Sequence, residues 1–156
     1  MAPIKSCEDP TVRFAKLFAM LYYHMCEQLC RELGEERGKK AIEQAVFEFG
    51  RERIRAMHEE ARERGIEVMD NPSYHLLRDM PNIGWINSER GVEYCPFANV
   101  WKDHGKKGLE YGALYCEIDH QVFSSFGLKL HRDHILTTTE DYCEFDIRPG
   151  DKQNEN

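Results

Sequence analysis

The sequence predicts an α+β fold, with N-terminal helices packed on a C-terminal antiparallel sheet of about four strands. Two observations carry that prediction. Apolar residues recur at helical spacing from residue 10 to residue 64, and period-two segments bounded by turn residues occupy much of 83 to 148. A third sets its extent: 156 residues without an internal repeat or a linker read as one domain, 1–156, with frayed ends at 1–8 and 150–156.

The first helix starts at Asp9-Pro10, an acid at the cap followed by proline in the first turn, and runs to Gly34. Val12, Leu17, Leu21, Met25, Leu29 and Leu33 mark about six turns. A second pattern from Glu35 to Arg64 sets Ala41, Ile42, Ala45, Val46, Phe49, Ile54 and Met57 on one stripe, interrupted by Gly50 and closed by Gly65. The Glu and Arg residues around it read as a solvated face. Asn71-Pro72 opens a short helix through about Met80. The period then changes, and Ile83–Ser88, a Glu89-Arg90-Gly91 turn and Val92–Cys95 read as a hairpin that Pro96 ends. Helices over Phe97–His104 and Leu109–Phe126 follow, then strands over Leu128–Leu136 and Tyr142–Arg148, joined by Thr137–Asp141.

A net charge of −7 argues against nucleic acid or an acidic membrane surface as partner and for a small molecule or another protein, with a homo-oligomer left open. The most apolar stretch, Phe14–Met25, is interrupted by Lys16 and His24 and is too short to span a bilayer. The N-terminus has no apolar run resembling a secretory signal, so the six cysteines read as reduced thiols of a cytoplasmic protein.

Chemistry concentrates in the last third. Tyr94-Cys95-Pro96, Trp101-Lys102, Tyr115-Cys116-Glu117-Ile118-Asp119 and Glu140-Asp141-Tyr142-Cys143-Glu144-Phe145 follow one another closely. Asp119 lies three residues after Cys116 and His120 four, all on the helix that carries Gly112. Cys116 has three open readings: a nucleophile activated by His120, a zinc ligand with Cys95 and Cys143, or a small apolar residue of the core. Cys143 alternates with Phe145 and Ile147 and points to the core, while Cys95 at a strand end suits a pocket rim.

The order Cys95-Pro96, Trp101-Lys102, Gly112, Tyr115-Cys116-x-x-Asp119 and Glu140-Asp141-x-Cys143-x-Phe145 resembles the L-2-amino-thiazoline-4-carboxylic acid hydrolase family. Gly38 with Gly50-Arg51 upstream is similar too, and Glu140-Asp141 stands where the family pattern has Gly-Asp. The resemblance implies hydrolytic opening of a small cyclic amidine by water addition at the ring carbon between nitrogen and sulfur, with no cofactor. It implies a catalytic group of Cys116, Asp119 and His120. Substrate would be held by Cys95, Trp101, Lys102, Gly112 and Tyr115, with Gly112 leaving room for it. A carboxylate acts as base or holds the amidine, His120 is the alternative base, and Lys102 or Arg132 supplies the cation for a substrate carboxylate. The Cys-x-Phe ending is distantly similar to vinyl-reductase-type ligand-binding domains, which implies the alternative of a sensor without turnover, its cysteines packed or holding a structural metal.

Overall fold

The computed structural model describes residues 4–138 and 141–150. Expectations placed on Glu140, Thr139, the first three residues and 151–156 lie outside the described residues.

Helix α1 (Pro10–Leu33) begins where the Asp9 carboxylate accepts a hydrogen bond from the backbone N–H of Thr11 at 2.8 Å. Gly34 separates it from α2 (Glu35–Arg64), which ends on the left-handed Gly65. The two form a long helical hairpin. Gly50 does not interrupt α2. It stands where the side chain of Gln121 crosses, and a Cβ there would lie 2.2 Å from the Gln121 Oε1. Helix α3 (Asn71–His75) is capped reciprocally by Asp70 and Ser73 and stops before the expected Met80.

The hairpin is formed by β1 (Ile86–Ser88) and β2 (Gly91–Tyr94), which pair antiparallel with a bulge between Ile86 and Asn87. It leads into α4 (Pro96–Asp103) and, after a turn at Gly105, α5 (Gly105–Cys116). The single helix expected over Leu109–Phe126 is two: α5 is followed by α6 (Ile118–Ser125). The break falls at Glu117, where the His120 N–H bonds the Glu117 carbonyl at 3.2 Å, a three-residue step in place of the four-residue ladder.

The expected four-stranded sheet is two two-stranded sheets. Strand β3 (Leu128–His131) pairs antiparallel with β4 (Asp146–Pro149), Leu130 opposite Ile147. Neither long strand survives whole. Arg132 turns inward to meet Asp119, Leu136–Thr138 closes as a 3₁₀ turn, and Tyr142–Phe145 runs irregularly beside it. Among the described residues an isolated bridge ties β2 to the segment before β4: Val92 and Cys143 exchange backbone hydrogen bonds of 2.9 and 2.8 Å. The architecture is nonetheless α+β, helices first and antiparallel pairs in the C-terminal half.

The core gathers where α1, α2, α4, α5 and α6 meet, around Ala19, Ile42, Met57, Trp101, Tyr111, Ile118 and Val122. Among the described residues no helix is long and apolar enough to cross a membrane. All six cysteines are free thiols.

Candidate active site

A cavity of about 200 Å³ lies among residues of helices α2 to α6, the β1–β2 hairpin and the 143–147 segment. That volume suits a small ring with two substituents. Its walls are aromatic and apolar, with Phe97, Trp101, Tyr115, Phe123 and Phe145 among them. Trp101 is fixed by an indole N–H bond to the Ala19 carbonyl (2.9 Å), and Tyr115 packs against Trp101 and Phe97 with ring centres 5.5 and 5.7 Å apart.

One end is polar. The Arg132 side chain, 1 % exposed, donates from Nη1 to Asp119 Oδ2 at 2.7 Å and from Nη2 to the Cys116 carbonyl at 2.8 Å. It thereby clamps the end of α5 to the start of α6 across the break at Glu117. Burial works against the guanidinium charge, but the Asp119 carboxylate outweighs it and holds the Arg132 pKa above its ordinary value. Asp119 Oδ1 has no protein partner among the described residues and remains available to a ligand. Cys116 adjoins this pair. Burial pushes its thiol pKa well above the usual value, and the Asp119 charge pushes it further, so the sulfur is protonated at neutral pH. Burial likewise raises Cys95 to about 11 and raises Cys143, whose sulfur accepts the Leu136 N–H at 3.2 Å.

Toward the mouth lie Arg53, Asn71, His75, Arg78 and Asn87. Arg53 is mostly buried and grips Asp79 through two bonds of 2.8 and 2.7 Å. Arg78 is exposed and has no acidic partner among the described residues. Partial burial, with the Arg78 charge beside it, lowers the His75 pKa, so that ring is neutral at pH 7. Three cavity residues carry buried polar atoms without a hydrogen-bond partner in the protein: Asn71 Oδ1, Tyr115 Oη and Arg132 Nε. An unpaired buried polar group costs about 1–3 kcal/mol, so such a cluster favours a polar ligand that meets it.

The residues singled out by sequence divide clearly. Cys95, Trp101, Tyr115, Cys116, Asp119 and Cys143 line one cavity. Gly112, Lys102 and His120 do not. The space that Gly112 leaves is taken by the Trp101 ring, 2.4 Å from where a Cβ would stand, and not by ligand room. Lys102 projects from α4 into solvent. His120 lies against a shallow depression beside Glu43 and Phe47 and is 4.0 Å from Glu117, because the break at Glu117 turns it away from Cys116. For the same reason Cys116 and Asp119 belong to consecutive helices rather than to one helical face. Among the described residues no three His, Cys, Asp or Glu side chains group closely enough to hold a metal ion, so Cys95, Cys116 and Cys143 share a cavity without forming a ligand set.

Sequence reading missed Arg53, Asn71, His75 and Arg78. Arg53 carried a signal. It continues the buried positions Ile42, Val46 and Gly50 toward Met57 at helical spacing, so it falls on the inner stripe of α2 and not on its solvated face.

The fold and cavity define a small α+β protein with a compact, polar-ended cavity. A family model described as L-2-amino-thiazoline-4-carboxylic acid hydrolase matches residues 14–147, and the chain belongs to that family. Among curated proteins and solved structures no match is found.

Proposed function

We propose that the chain opens a small cyclic amidine of the 2-amino-thiazoline-4-carboxylate type by adding water to the ring carbon between nitrogen and sulfur. The observation that carries this reading is the Asp119 carboxylate, held through one oxygen by Arg132 and free at the other, at the polar end of a ring-sized aromatic cavity. Asp119 accepts one proton of the water as its oxygen bonds to the ring carbon, and passes that proton to the ring nitrogen. The tetrahedral centre then collapses to a urea carbonyl as the carbon–sulfur bond breaks, and its hydroxyl proton passes through Asp119 to the departing sulfur. A thiol with a pKa near ~8.5 leaves with little assistance, so the demand falls on the base and on the groups that hold the amidine. Tyr115 and Asn71 supply hydrogen bonds along the ring, and Trp101 and Phe97 its flat walls. Arg78 at the mouth is the cation placed to receive the substrate carboxylate.

The raised pKa of the buried Cys116 thiol supports water as the nucleophile, with the thiol packed beside Asp119. A sensor without turnover is the competing reading, and the largely apolar walls favour it.

Turnover of 2-amino-2-thiazoline-4-carboxylate, followed by release of free thiol, decides between them. Asp119→Asn keeps the shape but cannot take a proton, and kcat should fall at least ~100-fold with the far-UV spectrum unchanged. Cys116→Ser should retain activity within about a factor of ten. An Asp119→Asn protein as fast as the parent removes the catalytic assignment in favour of the sensor, and a folded but inactive Cys116→Ser protein points to covalent catalysis instead.

A further inference from the structure

Helix α1 buries Ala15, Ala19, Cys26 and Cys30 against the core, yet its opposite side is also apolar. Phe14, Leu17, Phe18, Leu21 and Met25 keep 73, 48, 37, 62 and 58 % of their surface exposed. At ~100° per residue they fall within an arc of roughly 100°. Thr11 and Gln28 extend that arc at either end, so more than four turns pass without a charge. A solvated helix face is not built this way.

The spacing says what covers it. Phe14, Phe18, Leu21 and Met25 follow one another by four, three and four residues, the alternation of a helix seam that packs against a second helix. That series is the same read from either end. Laid antiparallel on a copy of itself, α1 sets Phe14 opposite Met25, Phe18 opposite Leu21 and Thr11 opposite Gln28, with no apolar side chain left facing a charge. The area agrees. At roughly 200 Å² per large side chain the five leave on the order of 500 Å² of apolar surface exposed. A stable pair buries about 800 Å² per partner, of which about 65 % is apolar in a homodimer core, again on the order of 500 Å².

We propose that two copies of this chain pair through the exposed face of α1, the helices antiparallel and the two-fold axis passing between Phe18 and Leu21. The interface backs onto the cavity, because the Phe18 ring packs 5.2 Å from Phe97 and 5.6 Å from Tyr115, both in the cavity wall. The partner copy would thus press the outside of that wall into place.

Sedimentation equilibrium of the full chain at tens of micromolar tests this. The wild type should weigh twice the 18.3 kDa of one chain. Leu21→Glu, and independently Met25→Glu, should weigh one chain with unchanged far-UV ellipticity. Phe47→Glu, at an exposed apolar residue of α2 beside Gln121 of α6, should remain paired. Mixed Phe14→Cys and Met25→Cys chains should cross-link to each other under mild oxidation. A wild type that is monomeric at ~100 micromolar, including one whose α1 face is covered by some other protein, overturns the proposal. So do folded Leu21→Glu and Met25→Glu proteins that both stay paired, or Phe14→Cys chains that cross-link to themselves, which means parallel helices.

Discussion

Arg132 is the residue on which the site turns, and its position explains why the site was only partly legible in the sequence. The spacing of Cys116 and Asp119 pointed to a shared helical face, but the two reach one cavity through different helices, tied together by a guanidinium that bonds the carbonyl of one and the carboxylate of the other. No local pattern announces such a tie across 13 and 16 residues. His120 was misread for the same cause, since a helix break at Glu117 rotates everything after it. The cationic mouth was legible in principle for Arg53, through its place on the inner stripe of α2, and not for Arg78, which sits in a segment without period. Arg78 supports a prediction at this scale. A carboxylate bound to a charged donor contributes about 1.5–3 kcal/mol when sheltered, and less at a wet mouth. Arg78→Gln should therefore raise KM for an anionic thiazoline about tenfold while kcat changes less than threefold, and should leave binding of a ring amidine that lacks the carboxylate unchanged. Equal losses for both ligands would show that Arg78 shapes the cavity without reading the carboxylate.

At the scale of elements, helices were well specified where the chain is amphipathic over many turns. The bounds of α1 and α2 were written in Asp9-Pro10, Gly34 and Gly65, because caps and stops act within a turn. The sheet was less so. Leu128–Leu136 and Tyr142–Arg148 have strand composition, but the inward turn of Arg132 and the 3₁₀ segment at Leu136–Thr138 take most of both out of register, leaving four residue pairs and a single bridge. The fit of α4 against α5 depends on small residues that periodicity does not rank. A Cβ at Gly108 would stand 1.9 Å from the Trp101 carbonyl oxygen, and one at Gly112 2.4 Å from the Trp101 ring and 3.0 Å from Thr137. Overpacking of this kind costs about 1–3 kcal/mol. Gly112→Ala should lower the melting temperature by several degrees and, since Trp101 walls the cavity, raise KM as well; Gly108→Ala, which meets unyielding backbone, should be at least as destabilising. Thermal melts beside steady-state kinetics check both, and a Gly112→Ala protein with parent stability would mean that the indole has room to withdraw.

The whole molecule concentrates its thiols inside, and that gives it a pH dependence whose sign follows from burial. Cys26 and Cys95 are pushed up to about 11, Cys116 well above its usual value and Cys143 upward, in each case chiefly because the thiolate loses its water. In the unfolded chain these thiols titrate near ~8.5. The folded state therefore holds its protons longer than the unfolded state does. The stabilising difference is complete below the unfolded value, and is lost as pH rises from there through the folded value. Between the two, each thiol removes about 1.4 kcal/mol per pH unit, and four acting together exceed the effect of any one surface ion pair. The melting temperature should thus be level from pH 7 to about 8.5 and fall steeply by pH 10, before lysines discharge. Cys26→Ala makes the test specific. Cys26 lies on α1 outside the cavity, 2 % exposed, and its removal should cost stability at pH 7 through lost packing yet flatten the alkaline slope. A melting temperature that stays level to pH 10, or a Cys26→Ala slope identical to the parent's, would mean that the interior admits water to these sulfurs. The protonated state assigned to Cys116, and with it the choice of water as nucleophile, would then have to be withdrawn.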